Sequence, residues 1–167
     1  MTAAHEQLYL RTLRALSAAG VPFVGLGTFA LRRQCPQLPR RLVADCDLQL
    51  PPDVAVLNHL TELLQAAGWQ VTLWEVPVQL PLAAAALAGK YYLRARRAGA
   101  VLDCTYEHDS LSWPAFQANS HYHEGLPLMR TAAILQQKAQ IGRPRDLALL
   151  DWWRQTIGPL PELGDPG

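Results

Sequence analysis

Two aspartates one residue apart lie in an otherwise apolar segment, the sequence RLVADCDLQL at residues 41–50. In an extended strand alternate side chains share a face, so Asp45, Asp47 and Gln49 point one way while Cys46 points the other way. The two carboxylates then lie about 7 Å apart along one face. Because an unpaired carboxylate in an apolar setting costs several kcal/mol, an arginine, a hydrogen-bond network or a metal ion must neutralise this pair.

A third carboxylate occurs in a comparable segment, VLDCTY at residues 101–106, where Asp103 again neighbours a cysteine typical of a core. If the two strands are neighbours in register, Asp45, Asp47 and Asp103 converge. Three converging carboxylates cannot all stay ionised without a cation. Ligand sets made only of carboxylate oxygens favour Mg²⁺ or Mn²⁺ over zinc. The sequence therefore predicts a divalent-cation site formed by these three residues.

A phosphate-binding turn is predicted upstream, in GLGTFA at residues 25–30, between a strand-like segment and a helix-like segment. Backbone N–H groups at a helix start bind phosphate oxygens. Gly27 would let the backbone approach a phosphate closely, and Thr28 would add a hydroxyl. Two divalent ions can clamp the attacking and leaving oxygens of a displacement at phosphorus. The three features in this order predict displacement chemistry at phosphorus.

This order of motifs resembles the minimal nucleotidyltransferase family of the polymerase-beta-like superfamily. That family has Gly-[Gly/Ser] at a helix start, then Asp-x-[Asp/Glu] on a strand, then an Asp on a later strand. The corresponding residues here are Gly27, Thr28, Asp45, Asp47 and Asp103. Thr28 stands where glycine or serine is usual, and the resemblance extends over about residues 20–152.

The subgroup that this chain resembles most is that of the abortive-infection and toxin-type nucleotidyltransferases. Its Arg-x-Thr-x-Asp lead-in is matched by Arg41, with Val43 in the place of the threonine. Its C-terminal Lys, Gly-Arg and Asp are matched in QQKAQIGRPRDLALL by Lys138, Arg143 and Asp146. The resemblance implies that Arg41, Lys138 and Arg143 bind the nucleotide. The residues alone leave a second interpretation of Arg143, which is an ion pair with Asp146 that orders the helix junction.

The resemblance implies transfer of a nucleoside monophosphate from a nucleoside triphosphate to an acceptor hydroxyl, with release of pyrophosphate. In that scheme Asp45 and Asp47 hold the metal ions, and Asp103 completes the second metal site and acts as the base or positions the acceptor. The acceptor stays open between RNA such as a tRNA end, a protein and a small molecule. Two alternatives use the same fold: a non-catalytic module that binds nucleotide or protein, and one member of a toxin–antitoxin pair with its cognate partner.

Two further arginines, Arg94 and Arg96, share one face of the segment YYLRARRAG at residues 91–99, with Tyr92 beside them. They are candidates for contacts with phosphates or with the acceptor, because arginine binds phosphate and an aromatic ring can stack on a base. A solvated hairpin face is the alternative interpretation.

The predicted elements follow the order helix, strand, helix, strand, helix, strand, hairpin and two further helices. Their expected bounds are 4–19, 21–26, 27–33, 42–50, 53–67, 69–76, 90–96 with 100–106, and two helices from 131 onward that break near Gly142 and Pro144. Thr131 is expected to cap the first of these two helices. Residues 34–41 are expected to form a loop, and residues 107–127 to be irregular.

This order predicts an α/β (α+β) fold with a short mixed sheet of about four or five strands, helices mainly on one face and a C-terminal helical pair. The resemblance makes that fold nucleotidyltransferase-like. Residues 1–157 are expected to form one domain, and the Pro/Gly-rich residues 158–167 to form a flexible tail.

Composition narrows the class of protein. The 167 residues are 50% hydrophobic and 17% charged, with a net charge of +1, so no overall charge directs the protein to nucleic acid or a membrane. The three cysteines are widely spaced, which is typical of a reducing compartment. The N-terminal MTAAHEQLYL lacks a basic region followed by an apolar run. These features predict a cytoplasmic protein without a membrane segment.

Overall fold

The computed structural model describes residues 1–108 and 111–161. The described part of the chain contains eight strands, which are β1 Val24–Leu26, β2 Cys46–Gln49, β3 Gln70–Leu73, β4 Val76–Pro77, β5 Tyr92–Arg97, β6 Ala100–Thr105, β7 Ser120–His123 and β8 Leu126–Met129. Its α-helices are α1 Ala3–Ala18, α2 Gly27–Gln34, α3 Val54–Ala66, α4 Ala84–Leu87, α5 Trp113–Ala118, α6 Thr131–Ile141 and α7 Pro144–Thr156. Most of the predicted tail, residues 162–167, lies outside the described residues.

All eight strands form one mixed sheet in the order β4-β3-β5-β6-β2-β1-β8-β7. The pairs β2–β6 and β1–β8 are parallel, and the other neighbouring pairs are antiparallel. The central strands β6, β2 and β1 come from distant parts of the sequence. Their side-by-side arrangement therefore gathers residues that the sequence keeps far apart.

The sheet has more strands than the expected four or five because two short hairpins extend its edges. The segment 69–76 is two strands rather than one, since Trp74 and Glu75 adopt positive φ angles of 48° and 66° and turn the chain from β3 into β4. Neither residue favours that conformation, so the alternating pattern gives no sign of the turn. The prediction of one continuous strand here is wrong.

The segment 107–127, expected to be irregular, contains α5, β7 and the start of β8. Glu124 and Gly125 have positive φ angles of 49° and 78° and join β7 to β8 as a tight hairpin. Strands of four residues with a proline at position 127 carry little periodic signal. The sequence prediction for this segment is wrong for that reason.

Two predicted strands are shorter than expected. Regular structure in 21–26 is confined to Val24–Leu26, and in 42–50 to Cys46–Gln49, because a 3₁₀ turn at Arg40–Leu42 precedes the latter strand. Asp45 consequently lies just before β2 rather than within it.

The predicted cap of the first C-terminal helix is wrong. Arg130 is the residue that precedes α6, and it caps the helix with no side-chain hydrogen bond. Thr131 is the first helical residue, and its hydroxyl instead donates to Gln34 Oε1 at 3.1 Å. By contrast, Gly142 ends α6 in the left-handed conformation and Pro144 begins α7, as the sequence indicates.

The hydrophobic core lies on the cysteine face of the central strands. Cys46 and Cys104 are free thiols with no exposed surface. Helix α1 packs near this face, where the Tyr9 hydroxyl accepts a hydrogen bond from the Val101 backbone N–H at 2.9 Å. The Tyr9 ring also stacks on Trp69, with ring centroids 6.4 Å apart. The opposite face of β2 and β6 is left for the aspartates. No helix within the described ranges has both the length and the apolar character that a bilayer crossing requires.

A buried carboxylate ties the N-terminal helix to the chain that leads into β2. Glu6 on α1 pairs with Arg40 at 2.8 Å and also lies 3.3 Å from Arg32 and 3.4 Å from Arg33. Burial alone would raise the pKa of Glu6, but the hydrogen bond from Arg40 and the charges of the other arginines hold it below its usual value. These contacts order the segment immediately before Asp45.

We expect Glu6→Gln to lower the free energy of unfolding at neutral pH by about 1–3 kcal/mol, because three arginines lose their common partner. A carboxylate with a depressed pKa stabilises the fold above its unfolded pKa and stops doing so as the pH falls through its folded pKa. The difference between variant and wild type should therefore shrink below about pH 4. Urea unfolding at several pH values measures it, with Glu62→Gln on the exposed face of α3 as the control. An equal loss in both variants would contradict this role.

Candidate active site

The register of two parallel strands brings the three predicted carboxylates together. Asp47 on β2 lies directly opposite Asp103 on β6, and Asp45 precedes the start of β2. One carboxylate oxygen from each of the three lies within 4.8 Å of the others. Each side chain is half-buried. The geometric condition on which the predicted cation site depends is therefore met.

The electrostatics of this cluster fit a divalent cation. Burial, followed by the neighbouring charges of Asp45 and Asp103, raises the pKa of Asp47 to about 7. The positive charges of Lys138 and Arg145 oppose this shift without cancelling it. A carboxylate cluster that retains a proton near neutral pH has too little positive charge around it to stabilise its ionised form. The atoms that it offers to a metal ion are all carboxylate oxygens. Asp45, Asp47 and Asp103 thus form a donor set that could hold Mg²⁺ or Mn²⁺.

Asp103 differs from the other two carboxylates because an arginine already binds it. Arg94 lies opposite Asp103 on β5, and its Nε and Nη2 donate to Asp103 Oδ1 and Oδ2 at 2.7 and 2.8 Å. By contrast, no residue in the described ranges forms a hydrogen bond or ion pair with Asp45 or Asp47. Asp45 and Asp47 therefore have no direct ion-pair partner among the described residues, whereas Asp103 is paired with Arg94.

Gly27 is required at the start of α2 for two independent reasons. Its φ angle is 66°, in the left-handed region that favours glycine. A Cβ atom at this position would lie 2.1 Å from Asp47 Oδ2, which is closer than any contact between such atoms. The helix start thus lies against the Asp47 carboxylate, with the half-buried Thr28 next to it. This arrangement places the predicted phosphate-binding turn beside the predicted cation site.

A cleft of about 410 Å³ surrounds the carboxylates. Gly27 and Thr28 form part of its wall, and the junction of α6 and α7 contributes Lys138, Arg143 and Arg145. Gln49, Thr105 and His108 also line it. The cleft therefore combines an acidic centre with a basic wall, which is the charge distribution that a metal-bound triphosphate would need.

The basic wall is ordered by a buried aspartate. Lys138 Nζ donates to Asp146 Oδ1 at 2.8 Å, and Arg143 Nε donates to Asp146 Oδ2 at 2.7 Å. Asp146 is 1% exposed, and these two cations keep its pKa below the usual value although burial acts in the opposite direction. The ion pair between Arg143 and Asp146 is thus present. Lys138 and Arg143 lie in the cleft at the same time, so their predicted contact with nucleotide stays a prediction.

The structure does not bring all predicted residues to the cleft. Arg41 is exposed on the 3₁₀ turn and does not line the cleft. Arg96 donates two hydrogen bonds to Glu75, at 2.8 and 3.1 Å, on the exposed side of the hairpin. Arg94 does reach the cleft, but its guanidinium binds Asp103.

Sequence reasoning assigned no role to Arg145, which lines the cleft from the first turn of α7. Its side chain is exposed and forms no hydrogen bond or ion pair with the residues the structure describes. Its position one residue before Asp146 is the signal that could have identified it.

No family model and no curated protein matches this sequence. Solved structures do match it, among them the following three. The solution structure of the antibiotic-resistance factor ANT(2″)-Ia has a TM-score of 0.61 at 17% identity, over 95% of this chain and 86% of that chain. The crystal structure of ANT(2″)-Ia in complex with adenylyl-2″-tobramycin has a TM-score of 0.58 at 17% identity, over 93% and 91%. A candidate nucleotidyltransferase from Thermotoga maritima has a TM-score of 0.58 at 12% identity, over 93% and 96%.

Identities of 12–17% establish a likeness of fold. The chain has a mixed α/β, nucleotidyltransferase-like fold, which confirms the predicted fold class. None of the three structures is named as an abortive-infection or toxin-type protein, so that subgroup stays a prediction.

We expect Gly27→Ala to lower Mn²⁺ affinity at least about tenfold, because the new methyl group displaces the Asp47 carboxylate. The matched control is Gly20→Ala, since Gly20 has a similar φ angle of 75° and no atom within 4 Å of the added Cβ. Both variants should be destabilised by about 1 kcal/mol through backbone strain. Calorimetric titration with Mn²⁺ separates the two effects. Unchanged affinity in Gly27→Ala would contradict the close packing of Gly27 on Asp47.

We expect the metal-free protein to lose stability relative to Asp47→Asn as the pH rises from about 4 to about 7. The folded protein keeps a proton on Asp47 up to a pKa of about 7, whereas the unfolded chain releases it near pH 4, so ionisation disfavours the folded state in this window. The relative loss should reach about 2–4 kcal/mol. Urea unfolding in a chelator at about pH 5 and about pH 8 measures it. A constant difference between the two proteins would contradict the crowding of these carboxylates.

Proposed function

We propose that this protein is a divalent-cation-dependent nucleotidyltransferase. It transfers a nucleoside monophosphate from a nucleoside triphosphate to an acceptor hydroxyl and releases pyrophosphate. The observation that carries the proposal is the convergence of Asp45, Asp47 and Asp103 within 4.8 Å, beside a glycine that begins a helix. The nucleotidyltransferase-like fold supports it independently.

The bond changes of this reaction assign a task to each part of the cleft. The acceptor oxygen forms a bond to the α-phosphorus, the bond from that phosphorus to the pyrophosphate oxygen breaks, and the acceptor hydroxyl loses its proton. Asp45 and Asp47 would hold Mg²⁺ or Mn²⁺, with Asp103 as the third ligand. When bound, such ions neutralise the charge that develops on the phosphoryl oxygens.

The residues of the chain itself then bind and orient the substrates. The backbone at Gly27 and the Thr28 hydroxyl would bind phosphate oxygens at the start of α2. Lys138, Arg143 and Arg145 would attract the triphosphate from the opposite wall. Asp103 would orient the acceptor hydroxyl and take its proton, because each of its oxygens keeps a further lone pair beyond the one that accepts from Arg94.

The pairing of Asp103 with Arg94 favours a second candidate function, which is nucleotide binding without transfer. An arginine that binds both oxygens of the third carboxylate competes with a metal ion for that ligand. In this alternative the nucleotide and Mg²⁺ bind at Asp45 and Asp47, and no pyrophosphate is released. An assay of pyrophosphate release separates the two candidates, because only transfer releases pyrophosphate.

We expect Asp47→Asn to bind nucleoside triphosphate weakly in the presence of Mg²⁺ and to reduce transfer at least about a hundredfold, because a negative charge is lost from the centre of the donor set. Incubation with each labelled nucleoside triphosphate and a pool of RNA, protein and small hydroxyl compounds measures label uptake and pyrophosphate release. The control is Asp53→Asn, which keeps the helix cap at the start of α3. Full activity in Asp47→Asn would contradict the proposal.

Selective binding of nucleotide, with no pyrophosphate release from wild type in any pool, would favour the non-catalytic alternative. The acceptor pools also distinguish RNA, protein and small-molecule acceptors, and a labelled partner protein would support the toxin–antitoxin alternative.

A further inference from the structure

A second cavity of about 570 Å³ adjoins the acidic cleft. Gln49 and His108 line both spaces, so the second cavity neighbours the cleft at these two residues. Its other walls include Tyr91, Tyr106, Glu107 and Trp113. Gln49 and Thr105 lie opposite each other, two residues beyond Asp47 and Asp103 on the same parallel strands. Thr105 lines the cleft and Gln49 lines both spaces, so the cavity lies near the ends of the two strands that carry Asp47 and Asp103.

Gln49 contributes an unsatisfied hydrogen-bond acceptor at this junction. The side chain is 3% exposed, and its Nε2 donates to the Leu50 carbonyl at 3.1 Å. Because a carbonyl oxygen only accepts, the amide nitrogen must face Leu50, which leaves Oε1 on the other side. Within the described residues Oε1 has no donor. A buried acceptor without a donor is unfavourable, and a hydroxyl or ammonium group of a ligand would satisfy it.

Tyr91 is held in a strained conformation at the same cavity. Its φ angle is 66°, which is rare for a bulky aromatic residue. Two backbone hydrogen bonds fix it there, because its carbonyl accepts from the Tyr106 and Glu107 N–H groups at 2.9 and 3.3 Å. The side chain nevertheless stays 43% exposed. Strain that leaves an aromatic ring exposed at a cavity is typical of a binding site rather than of a core.

The charges of the two spaces differ. The cleft has four basic side chains, Arg94, Lys138, Arg143 and Arg145, whereas the described lining of the second cavity has no lysine or arginine and includes the carboxylate of Glu107. A nucleic acid strand needs cations along its phosphates. A ligand of this cavity instead meets a carboxylate, an amide oxygen and aromatic rings, which suit neutral or cationic donor groups on a ring-shaped molecule.

We propose that this second cavity is the acceptor site and that it binds a small, non-anionic compound with several hydroxyl groups, either neutral or amine-bearing. The proposal rests on the proposed function, since it places the acceptor hydroxyl beside Asp103 while the triphosphate occupies the basic side of the cleft. It excludes an RNA end as the acceptor. Tyr91 and Trp113 contact the faces of the ligand rings, and Glu107 binds an amine where one is present.

The test measures binding and does not need turnover. Ligand-observed NMR of the metal-free full chain uses three probes: maltotriose, the matching trimer of glucosamine, and a short oligoribonucleotide with a free 3′-hydroxyl. Both trisaccharides should bind and compete with each other, and the glucosamine trimer should bind more tightly. Glu107→Gln should weaken the glucosamine trimer at least about fivefold and change maltotriose less than about twofold. The oligoribonucleotide should not displace either trisaccharide.

Tyr91→Gly separates a binding role from a structural role. Glycine adopts a φ of 66° without strain, so this variant should keep or raise the melting temperature while weakening trisaccharide binding at least about tenfold. The matched control is Ala98→Gly, which relieves a φ of 49° at the turn between β5 and β6 and should leave binding unchanged.

The proposal is overturned if neither trisaccharide binds, if the oligoribonucleotide displaces them, or if Tyr91→Gly binds them as wild type does. Titration of the nucleoside triphosphate with Mn²⁺, without any acceptor, tests the proposed function separately. A protein that binds the nucleotide but no trisaccharide would refute only the acceptor proposal. A protein that binds no nucleotide would refute the proposed function.

Discussion

Repulsion between three carboxylates is the constraint on which the rest of the site depends. Asp45, Asp47 and Asp103 are brought within 4.8 Å by the backbone, because parallel pairing of β2 and β6 puts Asp47 opposite Asp103. Nothing in that pairing compensates their charge. Arg94 binds Asp103, and Lys138 and Arg145 act on Asp47 from a distance, yet the pKa of Asp47 still rises to about 7. The three carboxylates thus carry an excess of negative charge, which a divalent ion would neutralise.

The elements around the carboxylates prevent them from moving apart. The Asp47 carboxylate packs against Gly27 in the space that a Cβ atom would otherwise occupy. The ion pairs of Glu6 order the chain that leads to Asp45. At the junction of α6 and α7, the buried Asp146 accepts hydrogen bonds from Lys138 and Arg143 and holds both side chains at the cleft. Binding sites of this kind need ligands held by packing and by a second layer of hydrogen bonds.

Much of the site could be predicted from local patterns. Alternation along a strand assigned Asp47 and Asp103 to one face and the cysteines to the other, and the burial of Cys46 and Cys104 agrees. Gly27 could be identified because it lies between a strand-like and a helix-like segment, upstream of the two carboxylate motifs. The convergence of these residues also requires the two strands to be neighbours in register. That pairing is part of the tertiary structure, and local sequence patterns do not reveal it.

Other features could not be predicted because they depend on pairings between distant segments. Arg94 was identified as a basic residue on a strand, but its position opposite Asp103 follows from the register of β5 and β6. The hairpin turn at Trp74 and Glu75 uses left-handed backbone without glycine, so no local signal marks it. Strands β7 and β8 are too short to show a period. Arg145 has an exposed position whose importance appears only once α6 and α7 are placed against the cleft.

A crystal of the protein soaked with Mn²⁺ and a non-hydrolysable nucleoside triphosphate tests the central claim most directly. Anomalous scattering locates manganese without reference to activity. The predicted result is a manganese peak at Asp45 and Asp47, with the phosphates of the nucleotide beside Gly27. A nucleotide bound elsewhere, or no manganese at these carboxylates while Asp103 stays bound to Arg94, would contradict it.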